Sequence, residues 1–214
     1  MKLAVLGGSF NPVHIGHLIL ADCVSKQLGY DKIAFVPAYD PPHKYLSMEV
    51  SAQDRLKMVE LATEDDERFF AEDFEINQKG VSYTWDTISY LEKKYSGLLS
   101  DKIGLIAGMD LIPNFHKWKN ARLLAEKCRL IVAVRNEKET GHENAAKGEF
   151  AVKEKDFSLE KFQFPFVKVN NPFFPLSSSQ IRQRIYDDEG WRYLVGEKVF
   201  EYIKERNLYV HKKS

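Results

Sequence analysis

Leu3-Ala-Val-Leu-Gly-Gly-Ser-Phe-Asn-Pro-Val-His-Ile-Gly-His-Leu18 is the stretch whose reading decides the fold of this chain. The apolar run Leu3 to Leu6 reads as a buried strand. Gly7 and Gly8 then let the backbone turn tightly and come close to a ligand. Ile15, Leu18, Ile19 and Cys23 follow at helical spacing. Phosphate oxygens near Gly8, Ser9 and Phe10 would therefore meet unpaired N–H groups and the positive end of a helix dipole. His14 and His17 fall on one side of the first helical turn, and Gly16 between them keeps a side chain out of the way. Two imidazole donors are thus expected to aim at one point.

Other readings of this stretch lack parts they require. A zinc site would want the glutamate of H-E-x-x-H or a nearby cysteine, and neither is present. The dinucleotide fingerprint G-x-G-x-x-G is also missing, because Ser9-Phe10-Asn11-Pro12 stands where its later glycines belong. Two histidines at this spacing also arise by chance, so the pair gains its meaning from the strand, turn and helix around it.

The rest of the chain sets limits on the function. Its 214 residues suit one domain, taken as 1–214. Thirty-one basic residues balance thirty-one acidic ones, which leaves no global field to recruit nucleic acid or an anionic membrane. Any phosphate binding must be local. Cys23 and Cys128 lie far apart in apolar surroundings, as expected of reduced thiols in a cytoplasmic protein. The apolar run after Lys2 is too short for a signal peptide, and no stretch approaches a membrane span. Self-association into a homo-oligomer stays open.

Strand and helix signals alternate along the chain. Strands are expected near 2–6, at Lys32–Val36, Phe69–Phe74, Ile103–Ala107 and Leu130–Val134, and from Phe162 to Val169. Helices are expected near 15–28, after Ser51, from Thr84 to Tyr95, near 119–127, after Ser177 and from Arg192 to Arg206. The unbroken apolar runs suit strands covered on both faces. Such alternation predicts an α/β fold with a doubly wound, mostly parallel sheet, Rossmann-like, and a small helical C-terminal part over about 177–209. Residues 136–161 are charged and lack apolar periodicity, which marks a solvated excursion.

Four more segments carry polar chemistry. Pro37-Ala-Tyr-Asp-Pro-Pro-His-Lys44 follows the second strand and would sit at the same carboxyl edge as the glycine turn, where His43 and Lys44 can meet phosphates. An exposed turn is the alternative. Leu176-Ser-Ser-Ser-Gln-Ile-Arg182 is a helix start with hydroxyls and a following arginine, suited to an anion, or else Ser177 and Ser178 are simple caps. Gly108-Met-Asp110 places a carboxylate at a strand end, where it can accept from ribose hydroxyls or cap the short helix expected from Leu111 to Phe115. Trp118 offers a flat face for a ring, or fills the core. Arg184 would face another way, and Arg135 ends its strand as a further phosphate candidate.

Gly7-Gly8-Ser9-Phe10-Asn11-Pro12 with His14-Ile15-Gly16-His17 resembles the H-x-G-H nucleotidyltransferase superfamily, and within it the nicotinate-nucleotide adenylyltransferases. The similarity covers residues 1–135 and about 174–209. It implies transfer of AMP from ATP to nicotinic acid mononucleotide, with Mg²⁺ held mainly by the ATP phosphates and no metal site on the protein. Pro41-Pro42-His43-Lys44 matches the family loop. Ser177-Ser178-Ser179-Gln180-Ile181-Arg182 matches a segment that holds the outer phosphates of ATP, with Ser179 in place of threonine. Gly108, Asp110, Phe115 and Trp118 reproduce a pattern whose tryptophan stacks on the nicotinate ring. Ser82-Tyr83-Thr84, with Asp86 and Thr87, matches the segment whose backbone receives the nicotinate carboxylate, and Lys119 would add attraction for that acid.

The resemblance thus implies catalytic roles for His14, His17, Lys44 and Arg182. It implies ATP contacts at Gly7, Gly8, Ser9, Phe10, His17, Gly108, Asp110, Ser177, Ser178 and Arg182. Acceptor contacts fall to Ser9, Lys44, Tyr83, Thr84, Trp118, Lys119 and Arg135. Asn136 and Glu137 depart from the Pro and Gly usual after Arg135, and Gly196 stands where a proline is common. Pantetheine-phosphate adenylyltransferases carry threonine at the position of His14, and cytidylyltransferases carry a different segment in place of 177–182. An enzyme that accepts nicotinamide mononucleotide, or a regulator that binds nucleotide without catalysis, remain as alternatives.

Overall fold

The computed structural model describes residues 1–39, 50–109, 111–135, 159, 162–172 and 175–210, with the side chain of Arg135 left out. Six strands, β1 (Leu3–Gly8), β2 (Lys32–Pro37), β3 (Phe69–Ala71), β4 (Gly104–Gly108), β5 (Arg129–Arg135) and β6 (Phe166–Asn171), form one sheet in the order β3-β2-β1-β4-β5-β6. Every neighbouring pair is parallel, so the mostly parallel sheet expected from the sequence is parallel throughout. The chain winds outward from β1 to β3 and then crosses back to lay β4 on the other side of β1. The strand order reverses at that point, and the carboxyl ends of β1 and β4 diverge into a crevice where ligands of such sheets bind.

Helices cover both faces. Side chains of one strand alternate between them, with Ala4 and Leu6 on one face of β1 and Leu3 and Val5 on the other. The first face packs against α1 (Ile15–Leu28), α2 (Ala52–Thr63), α6 (Ser178–Tyr186) and α7 (Glu197–Glu205) through Val24, Met58, Ile181 and Val199. The second packs against α4 (Thr84–Lys94) and α5 (Ala121–Lys127) through Ile88, Leu91 and Leu124. Helix ends follow from the residues there. Ser51 caps α2 by accepting from the Asp54 N–H at 3.0 Å. α1 stops at Gly29, whose φ of +67° no β-carbon opposes. Among the described residues no helix is long and apolar enough to cross a membrane.

Some expected boundaries move, each for a local reason. The strand expected over Phe69–Phe74 ends at Ala71, because Phe74 opens the short helix α3 (Phe74–Gln78) and stacks on Tyr90 with ring centroids 4.1 Å apart. The sixth strand begins only at Phe166. Phe162 and Phe164 turn their rings onto Phe115 instead, at 5.6 and 5.2 Å. The short helix after β4 is a 3₁₀ turn over Ile112–Lys117, with proline in its first turn. The last expected helix is split into a 3₁₀ turn at Arg192–Leu194 and α7, which Gly196 caps with an extended backbone. The charged excursion lies outside the described residues apart from Leu159.

Gly104 shows how tightly the sheet centre is packed. A β-carbon there would lie 2.6 Å from the Tyr30 hydroxyl oxygen and 2.8 Å from Ile131 Cδ1. Gly104→Ala should therefore cost about 1–3 kcal/mol of overpacking strain. Urea unfolding should show a lower midpoint with an unchanged slope.

Candidate active site

The turn Ser9–Pro12 leaves the end of β1 at the crevice, and side chains from distant parts of the chain take up its oxygens. Arg182 of α6 donates from Nη1 to the Asn11 carbonyl at 2.7 Å and from Nη2 to Ser179 Oγ at 3.1 Å. Ser178 Oγ donates to the Pro12 carbonyl at 2.8 Å. The hydroxyl of Tyr209 donates to Asn11 Oδ1 at 2.6 Å. From below, Arg55 of α2 donates to the Ser9 carbonyl at 2.8 Å. Phe10 takes a φ of +44°, unusual for a bulky residue, and holds it because its ring is buried against His17 and Phe35 at centroid distances of 5.0 and 5.8 Å. A β-carbon on Gly8 would come within 3.1 Å of that ring. The Phe10 side chain is thus a plug under the turn.

α1 opens directly after this turn. The His14 N–H donates to Nδ1 of His17 at 3.2 Å, which assigns the proton of the His17 ring to Nε2 and makes that atom its donor. The two rings lie against each other, tilted by 32°, with centroids 3.7 Å apart. Their surroundings differ. His14 is 7 % exposed, its Nδ1 has no hydrogen-bond partner among the described residues, and burial lowers its pKa to about 4. It is neutral at physiological pH. A β-carbon on Gly16 would stand 3.1 Å from the His14 ring, so glycine at this position makes room for it.

The start of α6 lies at the same edge. Ser177 is an N-cap: its Oγ accepts from the Gln180 N–H at 3.3 Å, and its own N–H donates to Gln180 Oε1 at 2.8 Å. With the hydroxyls of Ser177 and Ser178 engaged inside the protein, the donors left at this helix start are the N–H groups of Ser178 and Ser179, the hydroxyl hydrogen of Ser179 and the remaining hydrogens of Arg182. Arg184, as expected, faces elsewhere and pairs with Glu189 at 3.3 Å.

A second group forms on the other face of the sheet. Tyr83 is the N-cap of α4 and Thr84 its first residue, beside a recess lined by Ser82, Tyr83, Asp86, Thr87 and the buried Glu75. Burial raises the pKa of Glu75, which accepts from the Thr87 hydroxyl at 2.5 Å. Lys119 Nζ lies 4.8 Å over the Tyr83 ring and pairs with Asp86 at 2.8 Å, so its charge is largely offset before any ligand arrives. Trp118, its neighbour in the chain, is half-buried with its ring 5.1 Å from Phe115. It fills core space and keeps part of its surface accessible. Gly108 ends β4, next to β1 at the switch point. His43, Lys44, Asp110 and the side chain of Arg135 lie outside the described residues.

Sequence reasoning missed Arg55 and Tyr209. Arg55 shares the buried stripe of α2 with Met58 and Val59, at helical spacing, and an arginine on an apolar stripe is a signal that could have been read. Tyr209 gave none, because its partner Asn11 is 198 positions away.

A family model described as cytidylyltransferase-like matches residues 5–184. A protein of Borreliella burgdorferi named probable nicotinate-nucleotide adenylyltransferase is 38% identical over 99% of this chain and 98% of its own length. One of Treponema pallidum with the same name is 36% identical over 98% of this chain and 99% of its own. The chain therefore belongs to the cytidylyltransferase-like family and, within it, to the nicotinate-nucleotide adenylyltransferases. Its fold is also that of a Plasmodium falciparum nicotinic acid mononucleotide adenylyltransferase solved in complex with NaAD, with a TM-score of 0.71 over 97% of both chains at 20% identity.

Because folding lowers the pKa of His14, the unfolded chain takes up its proton first as pH falls, and stability drops through the window from about 6.5 down to about 4. Between pH 7 and pH 5 this group alone should remove about 2 kcal/mol of unfolding free energy. Urea titrations of the protein and of His14→Gln at the two pH values check this: the variant should lose most of that slope.

Proposed function

We propose that the protein transfers the AMP moiety of ATP to the phosphate of nicotinic acid mononucleotide, forming deamido-NAD and pyrophosphate, in the cytoplasm as a step of NAD biosynthesis. The observation that carries this reading is the gathering of His17, Arg182 and the Ser9–Pro12 turn at the switch point, with the Tyr83, Thr84 and Trp118 group at the same sheet edge. ATP places its phosphates over Gly7, Gly8, Ser9 and Phe10. The outer phosphates meet Arg182 and the start of α6 at Ser177 and Ser178, and the ribose lies by Gly108 and Asp110. The acceptor phosphate lies by Ser9, with Lys44 and Arg135 assigned to it from the sequence. Its ring stacks on Trp118, and its carboxylate takes the N–H groups at the start of α4, around Tyr83 and Thr84. Lys119, already paired with Asp86, acts there mainly by shaping the recess.

One oxygen of the acceptor phosphate attacks the α-phosphorus of ATP in line. The bond from that phosphorus to the oxygen bridging to the β-phosphorus breaks, and the electron pair leaves with pyrophosphate. No side chain becomes covalently bound. The His17 Nε2–H and the Arg182 guanidinium offset the charge that builds on the leaving group, and His14, neutral and buried, holds His17 in place by ring contact. Among the described residues no group of three or more His, Cys, Asp or Glu side chains is placed to hold a metal ion. Mg²⁺ in this reading arrives on the ATP phosphates and supplies charge neutralisation there.

Pyrophosphate release should be rapid with ATP and nicotinic acid mononucleotide and slow with nicotinamide mononucleotide, whose amide turns its own NH₂ toward the α4 donors. Equal rates with the two acceptors would refute the assignment of that recess. His17→Ala should lower kcat by on the order of 10²–10³ while the far-UV circular dichroism spectrum stays unchanged, the cost of removing one donor aimed at developing charge.

A further inference from the structure

We infer that Arg55 is a positioning residue for the phosphate site, one that sets two ligand-facing amides by holding two loops from behind. This rests on the reaction proposed above. Arg55 is 1 % exposed, and no carboxylate lies within ion-pair distance of it among the described residues. Its neighbour Asp54 is engaged by Ser51 at 2.6 Å and by Tyr202 at 2.7 Å. Among the described residues the guanidinium donates only to backbone carbonyls: Ser9 at 2.8 Å, Ala38 at 2.6 Å and Tyr39 at 3.0 Å. Its Nε has no partner.

A buried arginine paired with carbonyls, and with no counter-charge, is costly unless its geometry is used. Here it bridges two elements that are far apart in sequence. Ser9 leaves β1, and Ala38 and Tyr39 leave β2; the two strands are parallel neighbours whose ends meet in register at Gly8 and Pro37. In a trans peptide the C=O and the following N–H point in opposite directions. Drawing the Ser9 and Ala38 carbonyls inward to one guanidinium therefore turns the N–H groups of Phe10 and Tyr39 outward, away from α2. Neither amide has a hydrogen-bond partner among the described residues. Both stand at the carboxyl edge, at the place assigned to the phosphates. A lysine ammonium is a point donor and cannot span three carbonyls with a planar fork, so charge alone does not replace it.

The test compares Arg55→Lys, Arg55→Gln and a core variant of the same helix, Met58→Ala, with the unaltered protein, all at a temperature well below each melting midpoint. Pyrophosphate release from ATP and nicotinic acid mononucleotide by the unaltered protein is measured first. If it is absent, the proposed reaction fails and the inference about Arg55 falls with it. Given that activity, both Arg55 variants should lose roughly ten- to hundred-fold in kcat/KM for ATP, and ATP should no longer raise their melting temperature. Met58→Ala, equally or more destabilised, should keep its kcat. Arg55 variants that fold and retain kcat/KM for ATP would reduce the residue to a structural role and overturn the inference. Should neither variant fold, hydrogen exchange on the unaltered protein decides: the Phe10 and Tyr39 amides should exchange fast when free and slow with ATP bound. Amides already protected in the free protein would refute the orientation argued here.

Discussion

The structure depends on how one short turn disposes of its backbone oxygens. Ser9 to Pro12 belongs to no strand and no helix, so none of its polar groups is satisfied by a regular ladder. Arg55, Arg182 and Ser178 supply donors to its carbonyls, from α2 and the start of α6, and Tyr209, near the far end of the chain, donates to the side chain of Asn11. Each bond joins this turn to a segment that also packs into the core on the same face of the sheet, through Met58, Ile181 and Leu208. The crevice at the switch point is thus a rigid consequence of core packing: the helices cannot shift without breaking the bonds that shape the turn. That rigidity suits a reaction in which the protein forms no covalent bond and acts by holding two phosphates in line.

The histidine pair adds a second constraint within the same few residues. An imidazole whose Nδ1 accepts a hydrogen bond carries its proton on Nε2, and the N–H of His14, the residue that caps α1, is the donor to Nδ1 of His17. The helix start therefore assigns the tautomer of His17 through a backbone donor. His14, in contrast, is pressed against its neighbour, its Nδ1 has no hydrogen-bond partner among the described residues, and burial keeps it uncharged. The two rings thus sit in different surroundings, one buried and the other held through its Nδ1, a difference that spacing alone does not disclose.

Much of this was legible in the sequence because the information was local. The run from Leu3 to Leu18 holds a strand, a turn and a helix start within one stretch, and period and glycine placement suffice to read it. The same is true of Ser51 and Ser177, whose capping partners are three residues away. What stayed hidden depends on distant partners. Tyr209 is one aromatic residue among many until Asn11 stands beside it. Phe162 and Phe164 have strand composition, yet the ring of Phe115, more than forty residues earlier in the chain, draws them out of the sheet. The pairing of Lys119 with Asp86 on α4, 33 positions earlier, was hidden for the same reason.

Charge is where local and global arguments part. The chain is neutral overall, and on its surface cations find carboxylates: Lys57 with Glu60, Arg68 with Asp66, Lys198 with Glu64 and Asp65. Such exposed pairs cancel at short range and are screened further by salt. Arg55 and Arg182 differ, because both bond to backbone carbonyls of the Ser9–Pro12 turn, and neither has a carboxylate within ion-pair distance among the described residues. A carbonyl dipole satisfies the hydrogens of a guanidinium without cancelling its charge. Two full positive charges therefore remain at the switch point, one sealed in the core and screened little by solvent. The positive charge at this edge persists because its cations are bound to neutral groups, in a protein whose formal net charge is zero.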